Sequence, residues 1–194
     1  MYRTHEGDKL AGTGPYDRDG NPVDRSVATP AWTKAARPVL EEVARKYNAR
    51  VTYGTLATEV QELTGIFTKQ PVHYWVGPMA FGCTDPGEPL LCSLVVNAQG
   101  LVGDGYQKAV LATYGEPAPG DLQMHSAEER LKCYRHFGAE LPTDGGRATL
   151  TPQVARTRVK AATTGRDQAR RPVCPVHNLE MPLTGRCDLC ADVL

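Results

Sequence analysis

The residues best suited to chemistry lie in the last twenty-one positions: Cys174-Pro-Val-His177, nine intervening residues, then Cys187-Asp-Leu-Cys190. A two-residue gap lets a tight turn aim both side chains of a pair at one ion, and four such ligands close a tetrahedral sphere. Thiolate sulfur and imidazole nitrogen are the donors that zinc takes in structural sites. Pro175 and Asp188 suit the turn inside each pair, and Pro182 and Gly185 supply turn chemistry ahead of the second. A pair of disulfides would leave His177 without a role and three further cysteines, Cys83, Cys92 and Cys133, scattered elsewhere. The pattern therefore predicts a zinc ion held by Cys174, His177, Cys187 and Cys190. With no spare ligand and no carboxylate placed as a base, the expected role is structural.

Directly ahead of these ligands, Thr151–Arg171 carries Arg156, Arg158, Lys160, Arg166, Arg170 and Arg171 against a single acid, Asp167. The whole chain is neutral, with 22 Lys and Arg against 22 Asp and Glu, so no global field demands a nucleic acid or a membrane. The local excess does suit a phosphate backbone. Its arginines cannot all share one helix face, which favours a mobile phosphate-tracking segment over a rigid recognition helix. The thiols fit a reducing, cytoplasmic setting. No segment approaches the roughly 20 apolar residues that a membrane span needs, and the N-terminus has no apolar run of the signal-peptide kind.

The elements that must position these groups are read from periodicity and breakers. Residues 1–30, rich in Gly, Asp, Pro and Arg, read as a flexible N-terminal arm. Residues 31–146 read as the core, 147–172 as a basic linker that is partly helical, and 173–194 as a zinc ribbon. Within the core, a helix is expected from Pro38 to Tyr47, with Val39, Leu40, Val43 and Tyr47 at helical spacing. A second is capped by Thr52 and stopped at Gly65, and a third short one runs from about His73 to Phe81. Leu91–Val96 reads as a strand, Asn97–Gly100 as its turn, and Leu101–Tyr106 as the returning strand. A further helix is expected to be capped by Ser126 and to end at Gly138.

Three helices followed by a hairpin is the layout of a winged helix-turn-helix, so the expected class is α+β: a winged-helix-like core and a small zinc ribbon. Val51-Thr-Tyr-Gly-Thr-Leu-Ala57 resembles the segment that opens the helix-turn-helix of alkylguanine-DNA alkyltransferases and alkyltransferase-like proteins. Leu91-Cys-Ser-Leu-Val-Val96 with Gly100, Gly103 and Tyr106 resembles their Pro-Cys-His-Arg-Val-Val segment and the glycines and tyrosine beyond it. This resemblance spans roughly residues 50–107. It places Cys92 at the position of the nucleophile and implies a phosphate contact for Tyr53. Ser93 stands where those enzymes have the activating histidine, Leu94 where they have arginine, and Leu91 where they have proline. The arginine expected on the third helix has no counterpart near Val76-Gly77. The overall layout also resembles a group of uncharacterised actinobacterial and actinophage proteins, which implies an architecture and no activity.

His73, at the start of the third helix, is a candidate for contact with phosphate or a base. His125 and Glu129 share a helix face, but Glu128, Glu129, His125 and His136 read as a solvated surface rather than a second metal site. No Ser-His-Asp order and no paired-carboxylate signature appears. The leading expectation is a non-enzymatic nucleic-acid-binding protein, for double-stranded DNA, using Tyr53, His73 and the basic residues from Arg156 to Arg171. One alternative is a protein-interaction module that docks on a polymerase or a phage-defence complex. Another is recognition of alkylated DNA, or alkyl transfer through Cys92.

Overall fold

A computed structural model describes residues 14–167, 173–179, 181, 187 and 190, with only the backbone described for 164–167. It divides into two units, the first running to Val154 and the second starting at Ala155. In chain order the elements are α1 (Arg25–Ala44), β1 (Val51–Thr52), α2 (Tyr53–Thr64), α3 (Val76–Gly82), β2 (Val95–Val96), α4 (Asp104–Tyr114), α5 (Leu122–His136) and α6 (Pro152–Asp167). Short 3-10 turns at Val72–Tyr74 and Leu91–Leu94 lead into α3 and β2. The class is α+β, mostly helical.

The expected helix from Pro38 to Tyr47 starts much earlier, at Arg25, where the Asp24 side chain accepts from Ser26 N and caps it. Its buried stripe is Ala28, Trp32, Ala36, Leu40 and Ala44, spaced four apart. Three of the five are alanine, so the stripe is narrow and weakly apolar in sequence. Pro30 and Pro38 each remove a helical hydrogen bond, yet the packed stripe carries the helix through both. Trp32 packs against Trp75 with ring centroids 4.5 Å apart and planes tilted by 39°, and donates its indole N–H to Ile66 O at 3.0 Å. The expected arm is also tied to the fold at Tyr16 and enters the core with Ala28 of α1. Tyr16 N donates to Phe67 O at 2.9 Å, Phe67 N returns to Tyr16 O at 2.8 Å, and the two rings stack. Residues 1–13 lie outside the described residues.

Helix α2 follows the expectation: Thr52 caps it through Thr55 N, and Gly65 ends it in the left-handed conformation. The expected hairpin does not form. β2 instead pairs in parallel with β1, Val51 opposite Val95 and Thr52 opposite Val96. Asn97–Gly100 does turn the chain, with Gly100 N donating to Asn97 O at 2.9 Å. Beyond the turn, the backbone of Val102 finds its partner in a side chain rather than a strand. Its N–H donates to Gln123 Oε1 at 3.0 Å, and its carbonyl accepts from Gln123 Nε2 at 3.2 Å. Asp104 then begins α4 where the returning strand was expected.

Helix α5 starts earlier than Ser126, at an Asp121 cap, and Gly138 follows its end with φ 76°. The segment after it, expected to open a linker, is strapped to the core. Tyr47 Oη donates to Arg147 O at 3.1 Å and accepts from Arg147 N at 2.8 Å. Thr149 Oγ1 donates to Asn48 Oδ1 at 2.9 Å. Arg130 is 4% exposed and donates to Ser93 O, Ser126 Oγ and Thr149 O at 3.1–3.3 Å. Those carbonyls and the hydroxyl satisfy a buried guanidinium that has no carboxylate partner among the described residues.

Candidate functional site

In the second unit the Cys174-x2-His177 turn closes on itself. Asn178 N donates to Cys174 O at 2.9 Å, and Cys174 N donates to Leu179 O at 2.8 Å. Asn178 takes φ 55°, a left-handed conformation that asparagine tolerates better than most residues. This turn brings His177 Nδ1 to 3.7 Å from Cys174 Sγ, 3.6 Å from Cys187 Sγ and 3.3 Å from Cys190 Sγ. Cys174 Sγ lies 3.7 Å from Cys190 Sγ. All four ligand atoms fall within 4.8 Å of one another.

Those edges can be tested against the metal. Zinc bonds of about 2.3 Å to sulfur and about 2.0 Å to nitrogen, at tetrahedral angles, set S···S edges of about 3.8 Å and S···N edges of about 3.5 Å. The observed edges agree within a few tenths of an ångström. A disulfide would need a separation of about 2.05 Å. The donor set and its spacing are compatible with zinc coordinated through three thiolates and the Nδ1 of His177.

The thiols respond to this crowding. The backbone N–H groups of His177 and Val176 point at Cys174 and lower its pKa to about 6. The Cys174 sulfur, with burial and the Cys187 sulfur behind it, raises Cys190 to about 11. A metal takes the thiolate form, which Cys174 already favours at neutral pH, while Cys190 would give up its proton on binding. Pro182, Gly185 and Asp188, expected to shape the turns, lie outside the described residues.

In the first unit, Tyr53 and His73 come together on one groove of 1220 Å³. Its walls are the start of α2 (Thr52, Tyr53, Gly54), the turn into α3 (Val72, His73, Tyr74), α3 itself (Gly77, Pro78, Phe81), the Asn97-Ala98 turn, and α4 from Gly103 to Ala112. His73 lies against Tyr74 with centroids 4.3 Å apart, and both are exposed. Tyr53 is half-buried, and burial raises its phenol above the ordinary range. A Cβ on Gly105 would lie 3.9 Å from the Gly77 Cα, so two glycines allow α3 and α4 to approach closely at the groove. Lys108 contributes an exposed ammonium on the α4 side. Lys108 and the two glycines were not among the expected site residues. Their signal, a lysine on a helix and isolated glycines, is too common to single out.

The basic residues are placed unevenly. Arg156, Arg158 and Lys160 are exposed on α6, the helical part of the expected basic linker. Arg166 falls on α6 with only its backbone described, and Arg170 and Arg171 lie outside the described residues.

Cys92 is 6% exposed, and burial, with the Cys133 thiol behind it, pushes its pKa well above the usual thiol range. An activated nucleophile needs the opposite shift. Ser93, fully buried, meets Cys133 Sγ at 3.8 Å and supplies no base. The surface expected to be solvated around His125 and Glu129 is instead a contact. Glu129 is 1% exposed and accepts from Leu90 N, Tyr114 Oη and Lys132 Nζ, while His125 Nδ1 lies 2.9 Å from Tyr106 Oη. The Tyr114 and Tyr106 bonds hold α4 against α5, and no second metal cluster lies among the described residues. No known family matches the chain, and no curated protein or solved structure matches it.

Proposed function

We propose that the protein binds nucleic acid, double-stranded DNA first, without chemical change to it, and carries a structural zinc ion in its second unit. One observation carries this reading: Tyr53 and His73, separated by twenty residues of sequence, share an aromatic-walled groove with Lys108 beside them. Largely apolar walls with exposed rings suit the faces of a nucleobase, and a stacked base gains from any such ring. Helices α2 and α3 then act as the helix-turn-helix that meets the duplex, and the groove receives a base drawn out of its stack. Arg156, Arg158 and Lys160, on α6, supply phosphate contacts.

Fluorescence anisotropy on random duplex and single-stranded oligonucleotides, at low and moderate salt, tests this. Micromolar or tighter, salt-sensitive binding is the expected result. Its absence at micromolar protein overturns the reading. A marked preference for alkylated duplex would narrow the function to lesion recognition, and the burial of Cys92 favours recognition over transfer.

A second reading is favoured by a separate observation: Val173, Val176 and Leu179 around the Cys174–His177 turn are 47%, 74% and 51% exposed. Apolar side chains displayed on a metal knuckle suit a protein partner. Capture of a stoichiometric protein that survives nuclease treatment is the result that selects it.

A further inference from the structure

The four metal ligands differ sharply in access. Cys174 and Cys187 are 2% and 7% exposed, whereas Cys190 is an exposed residue. The three remaining thiols, Cys83, Cys92 and Cys133, are shielded at 2%, 6% and 0%. Among the described residues, Cys190 is therefore the one cysteine that a solvent-borne electrophile meets directly. Behind it, Cys174 Sγ waits at 3.7 Å, a contact distance from which modest side-chain rotation closes a covalent bond.

We propose that this cluster is a peroxide-sensitive switch in which Cys190 is the point of attack and Cys174 the resolving thiol. The inference rests on the zinc reading of the four ligands. Three thiolates around one divalent cation leave a net negative charge on the cluster, which keeps the sulfurs electron-rich. The outermost sulfur is then the nucleophile. The Cys190 thiolate attacks one oxygen of hydrogen peroxide, the O–O bond breaks, and hydroxide leaves, giving a sulfenic acid on Cys190. The Cys174 thiolate attacks that sulfur and expels a second hydroxide. Two thiolates give up two electrons, peroxide accepts both, and one disulfide joins Cys174 to Cys190.

The consequence follows from the ligand count. A disulfide removes two of the four donors, and His177 with Cys187 alone do not close a tetrahedral site. Oxidation thus ejects the ion and removes the cross-link that organises the Cys174–Leu179 turn. Reduction with zinc present restores it. The core cysteines stay out of this chemistry because Cys83, Cys92 and Cys133 are shielded from solvent and burial disfavours their thiolates, whereas a zinc ion would hold the exposed Cys190 as a thiolate.

The test uses the full-length, zinc-loaded protein. Hydrogen peroxide is added in equimolar steps, released zinc is read with a chromogenic chelator, and disulfides are mapped by peptide mass spectrometry. The expected result is one zinc released per disulfide, a mass loss of about 2 Da, a peptide joining Cys174 to Cys190, and Cys83, Cys92 and Cys133 left free. Dithiothreitol with zinc should return the ion. Cys190→His retains a fourth ligand without the exposed thiol and should slow release by roughly tenfold or more. Retention of zinc through excess peroxide, a bridge mapped to Cys187 and Cys190, or earlier oxidation of a core cysteine overturns the proposal. If Cys190→His takes up no zinc, the wild-type peptide map decides. Protein that binds no zinc before any peroxide is added overturns the metal reading itself, a failure seen separately from the switch.

Discussion

Thr151 Oγ1 donates to the Gly100 carbonyl at 2.9 Å, and a Cβ placed on Gly100 would come within 2.4 Å of that same oxygen. Thr151 also accepts from Val154 N at 3.4 Å, so one hydroxyl both caps the first turn of α6 and seats it on the Asn97–Gly100 turn. Asn97 and Ala98 of that turn line the groove. The groove wall and the root of the basic helix are therefore keyed to each other through a single glycine.

Gly100→Ala should be costly for two reasons, the φ of 76° and the clash with Thr151. A loss of about 2 kcal/mol or more is expected, read as a lower urea midpoint with an unchanged slope. Thr151→Ala, which removes the cap and the hydrogen bond, should cost about 1 kcal/mol. Thr151→Ser should recover most of that loss, since the hydroxyl is what both contacts use.

Much of this arrangement was readable where chemistry and local geometry coincide. Thr52 and Gly65 bound α2 as expected, and the four metal ligands meet as their spacing required. The elements that depart from expectation share a cause: the deciding partner is remote in sequence. The stripe of α1 is three-fifths alanine and acquires its meaning only against Trp75 and the rest of the core. Leu101–Tyr106 has strand-like residues, but Gln123, one helix later, satisfies Val102 in place of a strand. Glu129 looked solvated because nothing local announces Leu90 N or Tyr114 Oη as its donors.

Removing the metal should act on the second unit alone. The Cys174–Leu179 turn has its apolar side chains exposed and no core of its own among the described residues, so ligation supplies most of its folding energy. Chelation should therefore abolish hydrogen-exchange protection at the Cys174–Leu179 turn. The near-ultraviolet signal of the packed Trp32 and Trp75 in the first unit should remain. Cys187→Ser should reproduce the effect. Loss of the tryptophan signal on chelation would contradict it.

Stability should fall at both ends of the pH range. Cys83 and Cys133 are raised by burial from 9.0 to about 12, so the unfolded chain ionises first and folding is penalised once pH exceeds about 9. The penalty grows by at most about 1.4 kcal/mol per pH unit per thiol, and Cys133→Ala should make the alkaline slope shallower. On the acid side, Arg37 bonds Glu88 at 2.8 and 3.0 Å and holds its carboxyl below 4.5. That contribution is present above pH 4.5 and is lost as pH falls through the lowered value. Glu88→Gln should flatten that limb. Both follow from urea midpoints measured across pH.

Binding should separate into two parts with different salt signatures. His73 and Tyr74 are exposed rings on the groove, so replacing either by alanine removes a stacking surface while leaving the core untouched. Each should weaken binding of an oligonucleotide by roughly five- to 150-fold, the range of about 1–3 kcal/mol per stacked base. The slope of log affinity against log salt should stay unchanged, because no charge at a phosphate is lost. Arg156 on α6 should behave in the opposite way. Arg156→Ala should reduce that slope by about 0.9 on duplex DNA if it neutralises one phosphate, with a loss that shrinks as salt rises. Anisotropy titrations at three salt concentrations resolve both effects in one experiment. Ring variants that bind as tightly as the wild type would remove the groove from the interface, and an Arg156 variant with an unaltered slope would remove the basic helix.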